Sequence, residues 1–474
     1  MTVLVGNHDF LTGCKLNGDS VLNAEFCLEY VEISTNGGIL IRMVKRPGSK
    51  LILLAILMMA IGFSLVARGA QPVTISFMNW DPELVAQYIK DWDKLDTGIK
   101  VTSVPHDIGK LKAMIAAGNP PDMAMLGIPD ALDLIRAGAI EPLDKYVATS
   151  ATLKKAQLMP INDLWKTDGI NLGKGKRYGL LADFGTTSWI IYNKDLFDKA
   201  SIPYPDPFKP MTADEFRALA KKLTVRDGKG QVLQYGCTIM DGLLDCIPTL
   251  FMHQKGLRVW SKDFKKINLD HPEFRKIVQW MVDMAREDHS WNSPLDPSTN
   301  WDGGLFLSSK VAMVLGRGRW LIAFAQQYAD PKFRIGVAPA PMWGTKRVAL
   351  VGEANGYVIF SASKHKKETF KFVEFLVTGP GAERRARIGW NNPAVKSLYS
   401  LMPNSTPDEK IVQQLQDIEL KYVDMSEFCN PYIPERDTFG TMKQDLFEGK
   451  VSLDECLVRI PVNSTTCSGL NRPP

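Results

Sequence analysis

Val73-Thr74-Ile75-Ser76-Phe77 alternates apolar and polar residues, and Asn79-Trp80-Asp81-Pro82 carries the chain into Leu84, Val85, Tyr88, Ile89 and Trp92 at helical spacing. The alternation turns one face of a strand inward, and apolar residues three and four apart turn one face of a helix inward. A strand therefore runs directly into a helix. Asp81 is the predicted N-cap, because its carboxylate can accept from the first unpaired amides, and Pro82 suits the first turn, where its missing N–H goes unused.

The same rhythm continues downstream. Ile99, Val101, Ser103 and Val104 read as a second strand, and a helix through Leu111, Met114 and Ile115 stops at Gly118. Pro120-Pro121-Asp122 then opens the apolar strand Met123–Leu126. Such alternation calls for an α/β fold with a mostly parallel sheet and helices on both faces. Ligands on such sheets bind at the carboxyl ends of the strands. Thr212 and Glu215 form a predicted capping box before Phe216, Leu219, Ala220 and Leu223. Asp270 is expected to open a helix through Phe274, Ile277, Val278 and Met281, and a further helix over 368–377 is cut off by Gly379-Pro380. No repeat or low-complexity linker separates these elements, so the domains are expected to join through strand crossovers.

Ahead of the first strand, Lys45, Arg46 and Lys50 precede an apolar run over 51–66 that ends in Ala67-Arg68-Gly69. This reads as a secretory signal peptide over 43–69, cleaved after Gly69 or Ala70, because the run is shorter than the roughly 20 apolar residues of a spanning helix. Signal peptides begin chains, which makes Met43 the expected start and 1–42 an upstream segment; a genuine N-terminal extension is the alternative. No cysteine adjoins the cleavage site, so the expectation is a freely diffusing periplasmic protein without a lipid anchor.

The 474 residues carry 57 Lys and Arg against 52 Asp and Glu, a net charge of +5, with the two signs interspersed. No basic face of the kind that binds nucleic acid is visible. A chain of this length implies two domains. Of seven cysteines, Cys237, Cys246, Cys429, Cys456 and Cys467 follow the leader; their spacing matches no zinc motif, and either one or two disulfides or idle thiols fit. There is no Gly-x-Ser-x-Gly elbow, no His-Glu-x-x-His and no phosphate-cradling Gly-rich loop, and the six histidines are scattered singly. Spacing does not exclude a carboxylate pair for glycoside hydrolysis.

Five stretches stand in order along the chain: Gly118-Asn119-Pro120-Pro121-Asp122; Tyr178-Gly179-Leu180-Leu181 followed by Tyr192-Asn193-Lys194-Asp195-Leu196-Phe197; Phe306, Ala312-Met313 and Gly318-Arg319-Trp320; Gly336-Val337-Ala338-Pro339-Ala340-Pro341; and Phe372-Val373-Glu374-Phe375-Leu376. Together they resemble the extracellular solute-binding proteins of family 1, the group that includes the periplasmic maltose-binding protein. The resemblance implies a two-lobed periplasmic binding protein fold with discontinuous lobes, 70–184 with 351–388 and 185–350 with 389–474, joined by a crossover hinge. It also implies a monomeric, non-enzymatic receptor without a cofactor, closing on a small solute and docking on an inner-membrane ABC permease.

The expected ligand is a sugar or oligosaccharide. Trp320 falls on the family's Gly-x-Trp position, where the resemblance implies a stacking aromatic, and Trp80 at the end of the first strand is its expected counterpart or else a core residue. Polar candidates at strand ends are Gly127, Asp130, Thr186, Asp241, Glu353 and Asn355, of which Asp130 and Asp241 are equally suited to capping helices. Trp189, Trp390 and Asn391 rank lower, with packing at the crossover as the competing role. Gly352-Glu353-Ala354-Asn355-Gly356 is more polar than the Gly-Gly pair common in the family, which leaves room for another ligand. Arg317 and Arg319 beside Trp320 would suit a phosphorylated polyol, and Asp130, Asp241 and Glu353 a polyamine.

Overall fold

The computed structural model of the protein describes residues 72–239, 246–261, 268–292, 302–330, 332–425 and 445–459. The expected leader, the segment before it, Asp241, Cys429 and Cys467 lie outside the described residues. Among the described residues no helix is long and apolar enough to cross a membrane.

The opening pattern folds as read. β1 (Val73–Asn79) runs into α1 (Pro82–Asp93), where the Leu84 amide donates to Asp81 Oδ1 at 2.9 Å and Pro82 occupies the first turn. β2 (Ile99–Pro105), α2 (Ile108–Ala116), β3 (Met123–Leu126) and α3 (Ile128–Arg136) follow. β1 pairs in parallel with both β2 and β3, the outcome of strand–helix–strand crossovers. Later segments complete a seven-stranded sheet. β4 (Leu180–Thr186) and β10 (Ala349–Ile359) pair antiparallel to each other, β10 also pairs antiparallel to β3, and the short β11 (Asn392–Pro393) lies along β4.

A second, five-stranded sheet is built from β5 (Trp189–Asn193), β6 (Val225–Arg226), β7 (Val232–Ile239), β8 (Val311–Arg317) and β9 (Ile335–Pro339), in the order β9-β5-β8-β7-β6. Alternation along β5 sends Ile190 and Tyr192 into one core and Trp189 and Ile191 into another on the opposite face. α4 (Ala213–Leu223) begins with the expected capping box of Thr212 and Glu215. α5 (Pro272–Arg286) starts one residue later than an Asp270 cap would set it, because His271 supplies the cap: its Nδ1 accepts from the Glu273 amide at 3.2 Å. α6 (Trp320–Tyr328) follows β8 after two residues.

Two stretches carry the chain between these sheets side by side. Phe184 packs in the first core and Ile190 in the second, so the residues 186–188 form one crossover; Leu350 packs in the second core and Val351 in the first, so β10 forms the other. The Thr187 amide donates to Leu350 O at 2.9 Å, and the Leu350 amide donates to the Ser188 hydroxyl at 2.8 Å. These bonds zip the crossovers together. α7 (Lys366–Thr378) and α8 (Pro380–Arg387) return to the first lobe, with Gly379 ending one helix and Pro380 starting the next. Ala394, Val395 and Leu398, placed with the second lobe from sequence, pack in the first core, because α8 delivers the chain to the β4 edge of the first sheet. α9 (Pro407–Glu419) contributes Leu415 to the core behind Trp189, and β12 (Val423–Met425) pairs in parallel with the start of β10.

Candidate functional site

The floor of the junction between the two sheets is made by backbone that has little choice of side chain. Glu353 lies opposite Gly185 in the β4–β10 pairing. A Cβ on Gly185 would come within 2.8 Å of Glu353 Oε2 and 2.7 Å of Asn391 Oδ1, and one on Gly318 within 3.0 Å of Glu353 Oε2. Both positions must stay bare for Glu353 and Asn391 to occupy this floor.

From the second lobe, α6 starts immediately after Gly318-Arg319 and presents Trp320 at its first residue. The Trp320 indole Nε1 donates to Glu353 Oε1. Trp390 lies 6.2 Å from Trp320, ring centre to ring centre, tilted by 41°. Asn391 Nδ2 donates to Glu353 Oε2 at 3.3 Å and to Asp183 Oδ1 at 3.2 Å. Trp320, Glu353, Trp390 and Asn391 thus form one connected group from both sides of the crossover.

The electrostatics follow from burial. Removing the Glu353 carboxylate from water pushes its pKa up to about 7, against the opposing pull of Arg317 and of the donors Trp320 and Asn391, and with a further push from Asp183. Arg317 sits over the Trp320 ring at 5.6 Å, but its guanidinium is held by Asp302 at 2.5 and 3.0 Å. Arg319 is buried, donates to Gln413 Oε1 at 2.8 Å and to Pro403 O at 3.2 Å, and burial brings its pKa down to about 10.

The other candidates separate into distinct places. Thr186 is buried in the crossover, and its hydroxyl, like that of Thr187, has no hydrogen-bond partner among the described residues. Gly127 is the N-cap of α3 and faces Asn355: a Cβ there would lie 3.9 Å from Asn355 Oδ1. Asp130 sits in the first turn of α3 without capping it, because the cap position belongs to Gly127. Trp80 is 42% exposed and stacks at 4.6 Å on His106, so it is no core residue. Trp189 is fully buried in the core behind β5, which settles it as packing.

Asp183 was missed from sequence. It is buried on β4, three residues before the crossover, and pairs in register with Asn355. Its signal was present, as the single charged residue in the otherwise apolar and small run Leu180-Leu181-Ala182-Asp183-Phe184-Gly185.

Comparison with known proteins agrees with this architecture. The family model of bacterial extracellular solute-binding proteins matches residues 79–383. A candidate binding protein of Brucella abortus is 28% identical over 284 residues, 58% of this chain and 62% of that one, so the match spans less than two thirds of the relative. The multiple sugar-binding protein of Streptococcus mutans is 25% identical over 347 residues, 69% of this chain and 76% of that one. An ABC substrate-binding protein of Listeria monocytogenes, solved in complex with cycloalternan, superposes with a TM-score of 0.68 at 22% identity, covering 81% of this chain and 96% of that one. At that identity the likeness shows the fold. With two α/β lobes, paired crossovers and a family match over most of its length, the chain belongs to the bacterial extracellular solute-binding protein family.

Proposed function

We propose that this protein is an exported solute receptor that binds a sugar or oligosaccharide at the Trp320–Glu353 junction, closes its lobes on it and delivers it to an inner-membrane ABC permease. The carrying observation is the pinned, half-buried Trp320 indole beside Trp390, with Glu353 and Asn391 at its edge. An indole face takes the C–H face of a sugar ring, and carboxylate and amide groups at the edge take its hydroxyls. Hydrogen bonds of that kind contribute about 0.5–1.5 kcal/mol each. The sugar named for the streptococcal relative and the cycloalternan in the Listeria structure support the same ligand class.

The surrounding charges weigh against the rival readings. A phosphorylated ligand would need a cation with donors to spare, and both nearby arginines are engaged, Arg317 by Asp302 and Arg319 by Gln413 and Pro403. A glycoside hydrolase would need two carboxylates reaching the scissile bond, and Asp183, the acid next to Glu353, is only 2% exposed behind Asn391. Closure is supported by Tyr328 at the far end of α6, whose hydroxyl donates to Glu83 in the first turn of α1 at 3.2 Å, a bond from one lobe to the other. Ligand can drive such closure only through contacts that improve when the lobes meet.

Intrinsic tryptophan fluorescence titrated with a panel of oligosaccharides tests this reading. A saturable change that disappears in Trp320→Ala is expected; turnover of a glycoside by the same preparation, with no saturable change, would replace the receptor by a hydrolase.

A further inference from the structure

Glu353 does not stand alone at the junction. Asn391 spends both amide hydrogens on carboxylates, one on Asp183 Oδ1 and one on Glu353 Oε2. The bare Gly185 and Gly318 leave the space that Glu353 Oε2 and Asn391 Oδ1 occupy, so a side chain at either position would displace the Glu353 end of this group. We infer that Asp183, Asn391 and Glu353 form an acid–amide–acid relay that holds one proton at the floor of the junction, with Asp183 and Asn391 as positioning residues that set how readily Glu353 ionises.

The charges around the relay divide its two ends. Asp183 faces Arg385 of α8, whose Nε lies 3.9 Å from Asp183 Oδ2. Arg385 also donates to Ala182 O and Leu376 O at 2.7 and 2.9 Å and to the Tyr357 hydroxyl of β10, and Tyr88 of α1 completes this buried group. Among the described residues Glu353 faces Arg317 of β8, which Asp302 already holds, the uncharged donors of Trp320 and Asn391, and the carboxyl of Asp183. Burial raises both carboxyls, Arg385 opposes this for Asp183, and Arg317 opposes it for Glu353. Two carboxylates held by one amide in low dielectric do not both ionise easily, so the pair titrates as a unit.

A polar cavity of about 10 Å³, lined by Asp183, Arg385 and Asn391 among others, adjoins the relay. That is roughly the room one water needs.

If the junction binds solute as proposed above, the affinity is then proton-linked, since a ligand hydroxyl donates to the ionised carboxylate. The test needs no ligand, so its failure is separable from failure of the sugar reading. The pH dependence of tryptophan fluorescence is recorded for the purified protein and for Glu353→Gln, Asp183→Asn and Asn391→Ala, with folding checked by circular dichroism. The relay predicts a near-neutral transition in the wild type that is lost in Glu353→Gln. It predicts a lower midpoint in Asp183→Asn, which removes a repelling charge, and a higher one in Asn391→Ala, which removes a donor to the carboxylate; a merely structural role would move both midpoints alike or neither. Should Asp183→Asn not fold, the wild-type and Glu353→Gln profiles still decide. Identical profiles for those two proteins, or shifts of the same sign in the other two variants, overturn the relay.

Discussion

Two tryptophans, one from each lobe, are held in different ways. Trp320 is half-buried at the head of α6, its indole N–H bonded to Glu353 and its ring flanked by Trp390 and Arg317. Trp80 follows β1 with 42% of its surface exposed and its ring tilted against that of His106 at 4.6 Å. The first is held by its indole N–H and its ring neighbours, and the second presents an exposed ring. If both rings face the ligand as proposed, the second lobe and the crossover supply the preorganised wall and the first lobe the more adjustable one.

The strongest way to break the contrast is to remove what anchors the fixed side from behind. Arg385→Leu leaves Asp183 buried without its cation and strips donors from Ala182 O, Leu376 O and Tyr357. Removing one partner of such a buried pair costs about 3–5 kcal/mol, readable as a fall in the urea midpoint, whereas an equal midpoint would detach the floor from the first core.

Next is pH. The folded-state pKa of Glu353 is raised from 4.5 to about 7, so the native state holds its proton more tightly than the unfolded chain does. The resulting stabilisation is complete below about pH 4.5 and is lost as pH climbs through about 7. Unfolding free energy compared between wild type and Glu353→Gln should therefore diverge across that window, by on the order of 3 kcal/mol at most. Parallel curves would show that the carboxylate is better solvated than its surroundings imply.

Replacing the fixed ring itself has a smaller expected effect. Trp320→Ala should weaken sugar binding by roughly 1 kcal/mol or more without unfolding the protein; an unchanged affinity with a lowered melting temperature would make Trp320 a core residue. Smallest is Trp80→Ala, where stability should stay within about 0.5 kcal/mol because the ring is exposed. A large loss of stability there would erase the difference between the two walls.

How much of this was legible follows the physics of each part. Local rules located the strand–helix units: Asp81 and Thr212 cap as their positions require, and the alternation in Val73–Asn79 is a strand. The order of motifs gave the two-lobed plan. The helix start at His271 was missed because an imidazole nitrogen can cap as well as the aspartate beside it. At the site, Trp320 and Glu353 were both named, but their bond was not, since residues 33 positions apart meet only through the crossover. Asn391 was ranked as packing, and Asp183 was passed over, because what gives each its place is a neighbour from another strand. Trp189 shows the reverse: a side chain suitable for a ligand is taken up by core packing.

The most direct test of the central claim is the thermal unfolding of the purified protein with mono- and oligosaccharides, polyamines and glycerol phosphates, because a solute that binds only the folded state must raise the midpoint. The account predicts a rise with a carbohydrate that is lost in Trp320→Ala. A rise with polyamines or phosphates alone, or none with any carbohydrate, would contradict it.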